Sequence, residues 1–230
     1  MIYPFCFSCN RDYALSELMK TTLEKYCKTL AIPPVIINTD HRFPFYENGA
    51  GWNASMLKVG YMCGMVDQLP IGDDDYILSV DSDVVFTSSD VFDHITGADI
   101  IGIKHDPPYI TKFGYWSHMS GALIFIRGAT AKAIANLTPT NMDYIRQTHL
   151  RPFDMTENED VVLSYLVRYV NGNSRKLPND LSSGDFESDL LDGKLKSFYH
   201  LNYMPEQFLG EPVTGKWDIP KVLKNRGIKL

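Results

Sequence analysis

Apolar runs of strand length alternate with stretches of helical period from the first residues of the chain. Ile2–Ser8 is an apolar run that gives way to the polar turn Asn10-Arg11-Asp12. From Ala14 to Leu30 the residues Leu15, Leu18, Leu23, Tyr26 and Cys27 recur near the spacing of one helix face, and Pro33-Pro34 stops the pattern. Val35-Ile36-Ile37 is β-branched and ends on Asn38-Thr39-Asp40, which predicts a second strand with a polar tip. Beyond the loop Gly49-Ala50-Gly51, the stretch Trp52–Met65 reads as a helix carrying Met56, Val59, Tyr61 and Met62. The turn Asp73-Asp74-Asp75 then leads into a third strand, Tyr76–Val80, closed by Asp81-Ser82-Asp83 and continued by Val84-Val85-Phe86.

This β-α-β-α-β order within residues 2–86 implies parallel strands covered by helices, an α/β fold. The carboxyl ends of such strands form the ligand crevice, so Asn10, Arg11, Asp40, Asp81 and Asp83 are expected to converge there. The remainder is less regular. Asp99–Ile103 and Gly121–Ile126 read as strands, Thr130–Leu137 and Asn158–Tyr169 as helices, and Phe198–Leu201 as a last strand-like piece. Between Asn171 and Leu195, Gly, Asn, Ser and Asp dominate. With no internal repeat and no linker, the expectation is a single domain over 1–230. It divides into residues 1–86, residues 87–205 and a C-terminal tail (206–230).

Composition narrows the partners. The apolar share of 44% and the charged share of 22% are those of a globular chain rather than a disordered one. A net charge of −6 with no basic stripe argues against nucleic acid. The apolar runs fall far short of the ~20 residues of a membrane helix, and the N-terminus lacks a signal-peptide pattern. A soluble, cytoplasmic protein without a transmembrane segment is expected. Cys6-Phe7-Ser8-Cys9 has redox or zinc spacing, but no second pair follows, and Cys6 falls inside an apolar run. The four cysteines are expected to be buried free thiols.

Asp81-Ser82-Asp83 is the chemical focus. Alternation along a strand puts both carboxylates on one face. Like charges a few Å apart call for a proton or a cation between them, and a hard divalent ion with oxygen ligands leaves positions for substrate phosphates. The bland alternative is a solvated pair capping the next turn. Ser120-Gly121 precedes an apolar strand, where a bare glycine lets a sugar ring approach the backbone. Glu159-Asp160 opens a helix, where acids are favoured by the dipole and also serve as ordinary caps. The late His200 is either a plain surface or core residue or a supplementary metal ligand. Lys58 or Lys104 offers a positive charge to a departing phosphate, and either also fits a solvated role.

The order of these motifs resembles that of glycosyltransferases with the GT-A fold. The resemblance rests on Ile77-Leu78-Ser79-Val80-Asp81-Ser82-Asp83-Val84-Val85-Phe86, Ser120-Gly121 ahead of Leu123–Arg127, Glu159-Asp160-Val161-Val162 and His200. It covers roughly residues 2 to 203. It implies a Rossmann-like mixed central sheet with a parallel N-terminal half and helices on both faces. It also implies a nucleotide-binding half (1–86), an acceptor and donor-sugar half (87–205), and transfer of a sugar, with retention, from a nucleotide-diphosphate donor of the UDP class to a glycan or other hydroxyl acceptor. Asp83 and His200 then hold Mn²⁺ or Mg²⁺, and Asp81 meets ribose or the metal through water. Asn10, Arg11 and Asp40 meet base and ribose; Lys58, Ser82, Ser120 and Gly121 complete the donor site, and Asp160 or Glu159 serves the acceptor hydroxyl. The glycogenin-like branch follows its histidine with Gly and Lys-Pro-Trp. Here His200 leads into Leu201-Asn202-Tyr203-Met204-Pro205, and Gly215-Lys216-Trp217 is only faintly similar.

Two rivals remain at this level. Val80–Val85 also fits the nucleophile motif of haloacid-dehalogenase-type phosphatases, although that motif belongs on the first core strand and here a βαβα unit precedes it. A catalytically inactive carbohydrate-binding domain is the other.

Overall fold

A computed structural model describes residues 1–38, 57–105, 118–137, 159–182, 184–201 and 206–230. The β-branched and aromatic runs form a six-stranded sheet in the order β2-β1-β3-β6-β5-β7. Its strands are β1 (Ile2–Ser8), β2 (Val35–Asn38), β3 (Tyr76–Val80), β5 (Ile100–His105), β6 (His118–Arg127) and β7 (Ser174–Lys176). β1 pairs in parallel with β2 and β3, and β5 with β7, whereas β6 runs antiparallel between β3 and β5. The sheet is therefore mixed with a parallel N-terminal half, as expected.

Side-chain alternation sends one face of the sheet to α2 (Leu57–Gln68), α3 (Gly128–Ala135) and α4 (Glu159–Tyr169). There Phe5, Ile77, Ile124 and Ile126 pack among Met62, Ile134 and Leu166. The opposite face, with Cys6, Leu78, Val80 and Phe125, packs on Met19 and Leu23 of α1 (Tyr13–Tyr26). Burial of this kind contributes about 1.5–3 kcal/mol per large side chain.

Four local expectations change. The first helix ends at Tyr26, before the prolines, because Cys27 turns extended and Leu30 bridges to Ile2 beside β1. Val84–Phe86 does not continue the third strand. It leaves the sheet as β4 and pairs antiparallel with β8 (Phe198–His200). The polar stretch after Asn171 holds β7 and also α5 (Phe186–Asp192), which is capped by the Asp185 carboxylate and ended by left-handed Gly193. Of the four free cysteines only Cys6 and Cys27 are buried, since Cys9 lies past the end of β1 and Cys63 is half-buried on α2. The predicted start of the helix at Trp52 lies outside the described residues.

The C-terminal residues form a short hairpin, β9 (Gln207–Phe208) with β10 (Glu211–Pro212), and then α6 (Ile219–Asn225). They make a third apolar cluster: Phe208, Ile219, Val222 and Leu223 meet Leu15 of α1, Val85 of β4 and Tyr199 of β8. The chain end is thereby fastened to the outer side of the β4–β8 pair. No helix among the described residues is long and apolar enough to cross a membrane.

Candidate metal and nucleotide site

The carboxyl end of β3 passes into a tight turn. The Asp81 N–H still donates to Ala122 O of β6 (2.9 Å), and the Val84 N–H closes the turn on Asp81 O (3.2 Å). Asp83 thus comes round beside Asp81 by a turn, not by the strand alternation expected for the pair. Ser82, at the corner, is buried and aims its hydroxyl at Asp12 Oδ2 (3.5 Å).

The second half of the site arrives through the register of β4 and β8. Val84 faces His200, and the Leu201 N–H donates to Asp83 O (2.9 Å), so His200 is delivered to the turn. Its Nε2 lies 3.2 Å from Asp83 Oδ1, while Lys216 Nζ pairs with Asp83 Oδ2. Burial works against the Asp83 carboxylate, but the hydrogen bonds and charges of His200 and Lys216 prevail and hold it at about 2. One ligand atom from each of Asp81, Asp83 and His200 falls within 4.8 Å of the others. Atoms around one hard cation lie at most about two bond lengths apart, ~4–5 Å. Two carboxylates and an imidazole also match the donor chemistry of Mn²⁺ or Mg²⁺. The cluster fits a D-x-D metal site.

Lys58 belongs to the first turn of α2 and is 5% exposed. Its ammonium donates to Asp81 Oδ1 (2.9 Å) and to Gly121 O (3.3 Å), which ties α2 to β3 and β6. Ser120 is buried on β6, where its Oγ accepts from the N–H of Ala122 (3.4 Å), the residue whose carbonyl accepts from Asp81, and the Gly121 carbonyl accepts from Lys58. At the tips of β1 and β2, Asn38 Nδ2 donates to Asn10 Oδ1 (2.9 Å). Arg11 lays its guanidinium over the Trp217 ring, 4.3 Å from the centroid. Glu159 and Asp160 do open α4, and the Met119 N–H donates to Ser164 Oγ (3.0 Å), so the middle of α4 packs beside the Met119 end of β6. The side chains of Glu159, Asp160 and Lys104 lie outside what the structure describes, and Asp40 lies there entirely.

Two contributors escaped the sequence reading. Asp12 has only the signature of a turn in the sequence, yet its Oδ1 accepts from Trp217 Nε1 (2.7 Å) and its other oxygen faces Ser82. For Lys216 the available signal is the faint pattern Gly215-Lys216-Trp217. Gly215 takes a positive φ of 137°, and a Cβ there would stand 3.1 Å from the Trp217 ring. The glycine permits the turn that presents Lys216 to Asp83 and Trp217 to Asp12.

No protein-family model matches the chain, and no curated protein matches it in sequence. Solved structures do. The chain is similar to a glycosyltransferase involved in the glycosylation of the major capsid of PBCV-1 (TM-score 0.57, 10% identity, over 97% of this chain and 98% of that one). It is similar also to mouse xyloside xylosyltransferase 1 (0.51, 11%, over 89% and 100%) and to an active-site mutant of LgtC (0.56, 10%, over 98% and 96%). At such identities the likeness is one of fold. The chain has the GT-A fold of these glycosyltransferases.

Proposed function

We propose that the protein is a glycosyltransferase that moves a sugar from a nucleotide-diphosphate donor, of the UDP class, to a hydroxyl acceptor, with a divalent metal and with retention. The observation that carries this reading is the meeting of Asp81, Asp83 and His200 at the carboxyl end of β3 in a GT-A sheet. Asp81, Asp83 and His200 would hold Mn²⁺ or Mg²⁺, which when bound supplies Lewis acidity for the departing diphosphate. Lys216, at the same edge, adds a positive charge where negative charge develops. Asn10 and Arg11 stand at the tip of β1, where base and ribose would lie, and Asp40 is assigned to the same subsite. Lys58, beside Asp81, and Ser82, at the corner of the turn, belong to the donor site. Ser120 and Gly121 flank Asp81 on β6 and face the sugar. Asp160, with Glu159, serves the acceptor hydroxyl as base or clamp from the start of α4. Retention rests on the motif order from Asp81 to the late His200.

A dehalogenase-type phosphatase is not favoured, because Asp81 follows the third strand of the sheet rather than the first. Calorimetry with Mn²⁺ and UDP tests the reading. Wild type should bind UDP only when Mn²⁺ is present, and Asp83→Ala should remove that binding and abolish transfer while melting as a folded protein. Unchanged Mn²⁺–UDP affinity in the variant would refute the metal assignment, and failure of wild type to bind would leave an inactive domain.

A further inference from the structure

The antiparallel pairing of β5 with β6 changes register partway along. Ile100, Ile101 and Gly102 face Ile126, Phe125 and Ile124, but past an irregularity after Gly102 the partners are Lys104 with Met119 and His105 with His118. Had the first register continued, His105 would face Gly121. Residues 120–123 of β6 take up the difference. On the β3 side, Leu123 faces Val80 and the Ala122 carbonyl accepts from the Asp81 N–H. Gly102 stands at the step, where a Cβ would meet the Leu123 carbonyl at 2.7 Å, so the close approach of the strands needs glycine. Irregularities of this kind re-aim side chains and recur next to active sites. The result here is two histidines directly opposite each other at the end of β5 and the start of β6, where these strands run past the tip of β3. The pair is set about 10 Å along β6 from Gly121, whose carbonyl accepts from Lys58.

We propose that His105 and His118 form a second metal site, for a transition ion of the Zn²⁺ class, that clips the end of β5 to the start of β6. Opposite residues of an antiparallel pair share a face, with Cβ atoms about 4.5–5.5 Å apart. Two imidazoles carried at that spacing can ligate one ion at the usual Zn–N length of about 2.0–2.1 Å. The donor set distinguishes this site from the first. Imidazole nitrogens without a carboxylate favour Zn²⁺ over Mn²⁺, in the affinity order of the first-row divalent ions, whereas Asp81, Asp83 and His200 offer mostly oxygen. Two protein ligands leave the other tetrahedral positions to water. The clip fixes the strand ends just before Ser120, on the arm of the sheet that carries Ser120 and Gly121, so zinc sets how firmly that arm is held.

The test titrates Zn²⁺ alone, by calorimetry, into wild type and Asp83→Ala, each with and without His105→Gln or His118→Gln. The Asp83→Ala background keeps the first cluster from reporting. No nucleotide is used, so failure of the Mn²⁺–UDP reading leaves this test intact. Asp83→Ala should take up one zinc equivalent, and either glutamine should weaken that uptake roughly tenfold or more, at least the effect of losing a residue that merely supports a ligand. Mn²⁺ at the same concentrations should not compete. Zn²⁺ should also raise the melting temperature of Asp83→Ala, and fail to do so once either histidine is replaced. A His105→Gln or His118→Gln protein that melts as folded and titrates Zn²⁺ like its parent overturns the inference, and so does a parent that takes up no zinc.

Discussion

Asp81 and Asp83 are separated by one residue, but the regions that hold them differ in kind. Asp81 belongs to the sheet. Its backbone continues the β3–β6 pairing, and its partner Lys58 is a buried ammonium on the covering helix α2. Asp83 belongs to the return of the chain, paired to β8 through Leu201 and capped by Lys216, which lies 133 residues further along. The first region is a piece of the core that carries a charge. The second is a strap brought to the site by the packing of Phe208, Ile219 and Val222 on Val85 and Tyr199. A group on the core side cannot be altered without altering the fold, whereas groups on the strap can exchange partners.

If that division holds, the acceptor side should be separable from both. Asp160→Asn should lower turnover by roughly 10²-fold or more, the scale of a lost positioned base, and leave Mn²⁺–UDP affinity near wild type. The paired measurement is calorimetry against transfer rate at saturating donor. A normal rate would reduce Asp160 to a cap, for which Asn serves as well as Asp, and a loss of nucleotide binding would move it to the donor side.

The contrast between the carboxylates is sharpest in stability. Asp81→Asn removes the carboxylate 2.9 Å from the buried ammonium of Lys58. Unfolding in urea should show a loss of about 2 kcal/mol, toward the low end for a broken buried pair because the Asp81 side chain is one-third exposed. Asp83→Asn takes the carboxylate from Lys216 and His200, both of which are part-exposed and can turn to water, so its loss should be the smaller of the two. Equal losses in the two variants would erase the distinction between core and strap.

A smaller effect is expected at the anchor. Trp217→Phe keeps the ring under Arg11 but removes the hydrogen bond to Asp12, worth about 1 kcal/mol. The expected result is a weaker Mn²⁺–UDP complex with unchanged affinity for Mn²⁺ alone. The acid limb reads the Asp83 carboxyl itself. The Asp83 carboxyl is held at about 2 against an ordinary 3.8, so its contribution to stability is complete above pH 3.8 and is lost as pH falls toward 2. Asp83→Asn should flatten that stretch of a stability–pH curve measured without metal.

The same division explains what could be read from the chain in advance. β1, β2 and β3 with their polar tips are local patterns, and so is the approach of Ser120-Gly121 along an apolar strand. Asp81 and Asp83 were therefore legible, although the turn that joins them was not. His200 has no local signature; only its register opposite Val84 gives it a partner, and that register depends on packing distant in sequence. Asp12 looked like one more turn acid because its partner is Trp217. The elements after Asn171 are short, but Asp185 as a cap and Gly193 as a left-handed stop are signals that a reading by composition passed over.

The central claim is that Asp81, Asp83 and His200 form one metal–nucleotide centre, and anomalous diffraction from crystals grown with Mn²⁺ and UDP tests it most directly. The account predicts a manganese peak about 2.0–2.4 Å from ligand atoms of Asp83 and His200, with Asp81 bound directly or through one water. A peak away from this cluster, or a UDP diphosphate bound with no metal between it and the cluster, would contradict it.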